Sequence, residues 1–233
     1  MGVCQSQEPT SFKHYKLTYF PMEGVAEKVR LVFVMTGTDF EDKRVSFKEF
    51  ELMKDRPPLG QLPVLEVDGK VFGQSFALLR YLGKNLGGGK LYPEDKLFEI
   101  EYVLGVHDDF ARAWAPFLQV ALRPESLGHE FADDSEKRAK VKQMRGIFVS
   151  NDLPKYLGLY AQFLEKSGGG YFCGSEVTIA DLTILPQIRY FMRGAADHVD
   201  RRHVGEFPLV TAWVDRMMAI PELARWYEPK ISK

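Results

Sequence analysis

The sequence predicts an α/β domain followed by an all-α domain, on three observations. Residues 57–76 read as a proline-bearing loop, a short apolar strand from Pro63, the turn Asp68-Gly69, a second strand ending at Gly73 and a helix start. Upstream, short strand patterns alternate with helical ones, giving the order β-α-β-α-β-β-α over residues 13–86. Beyond Gly87-Gly88-Gly89 and Pro93 the strand patterns stop, and only helical spacing remains.

The elements follow in order. Residues 1–12 are polar and without period, which predicts a flexible tail. Lys16-Leu17-Thr18-Tyr19-Phe20 reads as a strand broken by Pro21 and Gly24. Val25, Val29, Val32, Phe33 and Thr36 are spaced as a helix ending near Gly37. A second strand over 40–45 and a short helix over 47–54 come next. Asp68-Gly69 suits a two-residue hairpin, because both positions need φ > 0. Ser75 stands where it can N-cap the helix that begins at Phe76. A first domain of this size is too small for a doubly wound nucleotide-binding unit, and no G-x-G-x-x-G follows its first strand. A three-layer arrangement around a mixed four-stranded sheet fits it better.

Residues 87–95 read as a linker and 96–233 as the helical domain. Leu97, Ile100, Leu104, Ala111, Trp114 and Leu118 trace one face of a long helix. A charged stretch over 133–145 leads into another, and Asp152-Leu153-Pro154 either kinks it or starts a new one. Gly168-Gly169-Gly170 closes that pair. Thr178 and Asp181 form a capping box with Asp in the usual place of Glu. Two helices, about 206–219 and 221–227, complete the domain.

Composition narrows the function classes. In 233 residues, a hydrophobic content of 45% and a charged content of 27% describe an ordinary globular chain with a sizeable core. A net charge of −1 gives no field that would gather nucleic acid or anionic membrane. Cys4 and Cys173 make no disulfide framework, which suits a reducing compartment. No apolar run is long enough to span a bilayer, and the N-terminus lacks the order of a secretory signal. These features lead to the expectation of a cytoplasmic protein.

Two features of residues 57–76 can grip a short, extended, acidic peptide. A cis bond before Pro63 would leave the main chain of Leu62 facing outward, ready to pair with an extended ligand. The helix start at Gln74-Ser75 offers unpaired N–H groups and a hydroxyl to a carboxylate.

Leu62-Pro63 before a hairpin, Gln74-Ser75 at a helix start and the Thr178/Asp181 box, in this two-domain order, resemble a cytosolic glutathione transferase. Tyr15-Lys16-Leu17-Thr18-Tyr19-Phe20, Leu65-Glu66-Val67-Asp68-Gly69 and Asp108-Asp109-Phe110 are most similar to the sigma class, which includes glutathione-dependent prostaglandin D synthases. The resemblance covers about residues 14–228. It implies the glutathione transferase fold, a thioredoxin-like N-terminal domain plus an all-α domain, with glutathione as co-substrate and a hydrophobic second substrate.

Residue by residue, the resemblance implies that Tyr19 activates the glutathione thiol, although a tyrosine there also fills an ordinary strand position. Gln74 and Ser75 would hold the γ-glutamyl end, Leu62 with Pro63 the cysteinyl backbone, and Lys54 with Gln61 the glycyl end. Phe50 stands where sigma members commonly carry a tryptophan; a phenyl ring has no N–H to donate, and a packing role stays open to it. Asp109 would reach the peptide's amino group in a neighbouring subunit, which implies a homodimer. Gly105 replaces an acid of the divalent-metal site found in the prostaglandin synthases, so no metal is expected. Val25 replaces an arginine beside the thiolate, which implies either reduced activity or compensation by Arg30 or Arg112. Phe20, Met22, Arg112, Trp114 and Thr183 are the expected lining of the electrophile pocket, with residues 119–130 as a lid.

Three readings of activity stay open: conjugation or peroxide reduction, a specific isomerase of the prostaglandin D synthase kind, or a non-catalytic, ligand-binding or crystallin-like protein on the same fold. The tail adds one motif of its own. Met1-Gly2-Val3-Cys4-Gln5-Ser6 fits the pattern for myristoylation at Gly2, with Cys4 placed for palmitoylation. Two such chains would divide the protein between cytosol and a membrane surface.

Overall fold

The structure, a computed structural model, describes residues 13–53 and 57–228. A four-stranded sheet organises the first part. Its strands are β1 (Tyr15–Tyr19), β2 (Glu41–Arg44), β3 (Val64–Val67) and β4 (Lys70–Phe72), in the order β2-β1-β3-β4. β1 runs parallel to β2 and antiparallel to β3, and Tyr19 stands opposite Arg44. The hairpin forms as its turn residues require, with Asp68 at φ 49° and Gly69 at φ 81°. The β2 edge is the charged run Glu-Asp-Lys-Arg, which discourages pairing with another chain.

Helices α1 (Glu27–Thr36) and α3 (Ser75–Asn85) pack against each other, and the short α2 (Phe47–Glu51) follows β2. α1 ends on Gly37 at φ 62°, the left-handed stop that a glycine provides. Ser46 and Glu49 form a capping box that starts α2, a signal present in the sequence but not used above. Ser75 is a correction. It is the first residue of α3, and the N-cap is Gln74, held at φ 68° without a side-chain capping bond.

The second part is helical: α4 (Leu97–Leu122), α5 (Asp134–Ser150), α6 (Asp152–Ser167), α7 (Ile179–Met192), α8 (Arg201–Gly205), α9 (Pro208–Met218) and α10 (Pro221–Tyr227). Pro154 starts a helix rather than kinking one, since in a first turn its missing N–H would have had no partner. The helix expected over about 206–219 forms as α9, opened by Pro208, and the short α8 precedes it without having been expected. Residues 119–130 are the end of α4 and a 3-10 turn, Pro124–Leu127, packed back on α4. The Thr178/Asp181 box forms, and Asp181 is fully buried. Its carboxylate accepts from the N–H of Phe172 (3.1 Å), the N–H and hydroxyl of Thr178 (2.9 and 3.0 Å) and the Trp213 indole (2.9 Å). Four donors offset the cost of burying that charge.

α7 is the central helix. Ten of its residues are buried, and it contacts both α1 and α4. An aromatic cluster of Phe110, Trp114, Phe148, Tyr156 and Phe191 fills the space among α4, α5, α6 and α7, with ring centroids as close as 4.6 Å. Two polar bridges fasten the sheet-bearing part to α4, for Arg80 of α3 donates two bonds to Glu101, at 2.7 and 2.6 Å.

Candidate active site

Strand β1 delivers Tyr19 to the point where the chain turns into α1. Its ring is 7% exposed. Gly24 passes directly over its hydroxyl: a Cβ built on Gly24 would lie 2.6 Å from the Tyr19 oxygen. Burial pushes the Tyr19 pKa above its ordinary value, opposed by the Val25 N–H and the Arg30 charge. At neutral pH the group is therefore a phenol, with its own proton free to be donated.

Arg30 is fully buried, with its guanidinium carbon 5.6 Å from the Tyr19 ring centre. It donates to the carbonyls of Met22 (2.8 Å) and Glu23 (3.3 Å) and pairs with Glu27 (3.1 Å) and Asp42 (3.0 Å). Arg112 is engaged by Asp108 and Asp109 on its own helix. Neither arginine offers the free cation expected to stand in for the residue replaced by Val25. Arg30 fixes the turn instead.

Beside this turn lies a cleft of about 150 Å³ lined by Val25, Leu59, Gln61, Leu62, Pro63, Val64, Gly73, Gln74 and Ser75. Five residues expected to bind a peptide thus converge: Gln61, Leu62, Pro63, Gln74 and Ser75. The Leu62–Pro63 bond is cis. Among the described residues, the N–H and C=O of Leu62 bond to no other main-chain group, for strand pairing begins only at Val64. The first turn of α3 opens on the same cleft and presents the N–H groups that an α-carboxylate needs. Val25, 51% exposed, makes its apolar wall.

The other expected residues are more scattered. Phe50 packs edge-on against Phe20, centroids 5.6 Å apart, and Phe20 stacks on Phe47 at 4.2 Å. Met22 is exposed beside them in the chain. Asp109 sits on the open face of α4, well away in sequence from the cleft residues, with its side chain 59% exposed. Trp114 and Thr183 correct the expected pocket lining. Trp114 is 4% exposed within the aromatic cluster, and Thr183 is 3% exposed with its hydroxyl donating to the Ile179 carbonyl at 2.7 Å. Both turn into the core because α4 and α7 face each other there. Lys54, Gly2 and Cys4 lie outside the described residues. Among the described residues, no group of three or more His, Cys, Asp or Glu side chains could hold a metal ion. No described helix is long and apolar enough to cross a membrane.

Sequence reasoning missed Gly24 as part of the site. Its signal, a glycine between a strand-end tyrosine and a helix, was read only as a strand breaker.

A small mixed sheet with a peptide-sized cleft at the start of α3, joined to a helical domain, defines a class of glutathione-dependent enzymes. The comparisons with known proteins agree. The family model of the glutathione S-transferase N-terminal domain matches residues 15–84, and that of the C-terminal domain matches 126–230. Glutathione S-transferase 1 of Ascaris suum is 35% identical over 86% of this chain and 95% of its own length. Probable glutathione S-transferase 7 of Caenorhabditis elegans is 32% identical over 93% and 97%. Among solved structures, a monomeric glutathione S-transferase of the hookworm Necator americanus superposes with a TM-score of 0.75, at 31% identity over 94% of this chain and 98% of that one. The chain belongs to the glutathione S-transferase family, an enzyme family that uses glutathione as co-substrate.

Proposed function

We propose that the chain activates the thiol of glutathione with Tyr19 for attack on hydrophobic electrophiles or peroxides. One observation carries the reading: Tyr19 ends β1 buried beneath Gly24, next to the cleft that Val25 walls, and burial keeps it a phenol whose proton can be donated to a sulfur there. A free thiol has a pKa of about 8.5 and is mostly protonated at neutral pH. Lowering it by two needs ~2.7 kcal/mol, within the ~1.5–3 kcal/mol of one bond to a charged group. Since Arg30, the described cation over the Tyr19 ring, is paired with Glu27 and Asp42, the hydroxyl donor is given the main share of this task.

In this reading the γ-glutamyl carboxylate rests on the α3 N-terminus at Gln74 and Ser75, the cysteinyl backbone pairs with Leu62, and Gln61 and Lys54 serve the glycyl end. Phe20 and Met22 face the second substrate, and their apolar surface favours hydrophobic compounds. Tyr19→Phe is expected to lower kcat by ~10²-fold with little change in KM for glutathione, since the oxygen acts on the sulfur alone. Measurement with a chloronitrobenzene, a peroxide and a prostaglandin endoperoxide checks this and separates the transferase from the isomerase. A chain inert toward all three would instead be the ligand-binding protein. Wild-type kcat in the variant would remove Tyr19 from the mechanism.

We also propose a homodimer. Phe98, Tyr102, Gly105 and Asp109 recur along one exposed stripe of α4, with Phe98 81% and Tyr102 58% exposed. In this reading a second copy would cover that stripe and meet Asp109 on it. The cytoplasm is the proposed location, with partial attachment to membrane through Gly2 and Cys4 resting on the sequence pattern alone.

A further inference from the structure

The turn that covers Tyr19 is held from the other domain. Glu23, immediately before Gly24, pairs with Arg193, which follows the last residue of α7. The two are 170 positions apart in sequence. The second carboxylate oxygen of Glu23 is buried and has no hydrogen-bond partner. Around the pair stand Glu27 and Arg30 of α1, Asp42 of β2, Arg189 of α7 and Tyr227 of α10. Glu27, on the same side of the turn, is itself tied across the domains, its carboxylate accepting from the Trp226 indole at 2.6 Å.

Arg30 cannot answer for the Glu23 side chain. It binds the Glu23 carbonyl, and its remaining N–H groups go to Glu27, Asp42 and the carbonyls of Phe20 and Met22. Arg189 is turned to the Tyr227 ring and the Met218 sulfur and makes no bond to Glu23, so without Arg193 the Glu23 carboxylate would face Glu27 with one oxygen already buried and unbonded. A partly buried charge in that position moves toward water rather than stay. The backbone it would carry along is Gly24-Val25, which packs directly over the Tyr19 hydroxyl.

We propose that Arg193 is a positioning residue for Tyr19, acting through Glu23 to keep residues 20–25 seated on the hydroxyl. The helical domain thereby sets the donor strength of a tyrosine it does not touch. The proposal rests on the reading of Tyr19 as the thiol's activator, and the test separates the two. Arg193→Met, Arg193→Lys, Glu23→Gln, Tyr19→Phe and the double variant Tyr19→Phe with Arg193→Met are compared. The readouts are the pH profile of kcat/KM, the ultraviolet absorbance of bound glutathione thiolate, and thermal unfolding as a fold control.

Arg193→Met is expected to raise the apparent pKa of the bound thiol by about one, a tenfold loss of thiolate below neutrality. Glu23→Gln, an isosteric change, shifts it the same way by less, and Arg193→Lys recovers most of the loss. In the Tyr19→Phe background Arg193→Met adds nothing, because its path runs through the hydroxyl. A wild-type pH profile in both Arg193→Met and Glu23→Gln overturns the proposal. So does an undiminished effect of Arg193→Met in the Tyr19→Phe background. If Tyr19→Phe itself keeps the wild-type profile, the activator reading falls first and this one with it.

Discussion

Gly24→Ala tests the site at its tightest point. The added Cβ would sit 2.6 Å from the Tyr19 oxygen, 3.0 Å from Cε1 and 3.2 Å from Cζ. Ordinary contacts of this kind lie at about 3.5 Å or beyond, so either turn or ring must shift by roughly 1 Å. The ring has little room, being buried with Arg30 over its face. Gly24 also holds φ +48°, where a Cβ costs about 1–2 kcal/mol, and a displaced ring adds about 1 kcal/mol more. The total of ~2–3 kcal/mol corresponds to a fall in Tm of roughly 4–12 °C for a chain of this size. A catalytic group displaced by 1 Å costs about 10²-fold in rate. Gly37→Ala is the control: its φ is +62° and nothing stands within 4 Å of its Cβ, so it bears the backbone cost without touching the tyrosine. The assay is kcat/KM for conjugation of a chloronitrobenzene, with thermal unfolding of both variants. If Gly24→Ala were as active as Gly37→Ala, the turn over Tyr19 would have no part in the chemistry.

Three further outcomes are expected. His107 is buried, with Nδ1 2.8 Å from the Tyr160 hydroxyl, and burial first, then the Lys28 charge, drives its pKa from 6.5 down to about 3. The unfolded chain takes up that proton first, so stability present above pH 6.5 is lost as pH falls toward 3. By about pH 5 the wild type should lose ~2 kcal/mol more than His107→Gln, as read by denaturant titration. Asp109→Ala should raise KM for glutathione by about tenfold while the fold stays intact, and sedimentation should find a dimer. A fully active monomer at micromolar concentration would refute the shared site. Intact-mass measurement of the protein from eukaryotic cells, with fractionation of Gly2→Ala beside it, tests lipidation; an unmodified N-terminus in equally soluble proteins would exclude it.

The sequence by itself determined the local geometry. Asp68-Gly69 dictates its turn because few dipeptides tolerate two positive φ angles, and Gly37 and Gly168 end their helices for the same reason. The Thr178/Asp181 box is legible because its donors lie within one turn of helix. The candidate cleft was legible for a related reason: Gln61, Leu62, Pro63, Gln74 and Ser75 lie within one hairpin of each other. Only the tertiary structure decided what faces inward. Spacing put Trp114 on a helix face without saying that α5 and α7 would cover it, so a core residue was expected in the pocket. It also could not show that Arg30 is spent on Glu27, Asp42 and main-chain carbonyls rather than left free for the thiolate. Glu23 with Arg193 and Glu27 with Trp226 meet across 170 and 199 positions. No periodicity encodes such pairs, because they depend on how whole helices settle against one another, and that is fixed by the shape of the shared core.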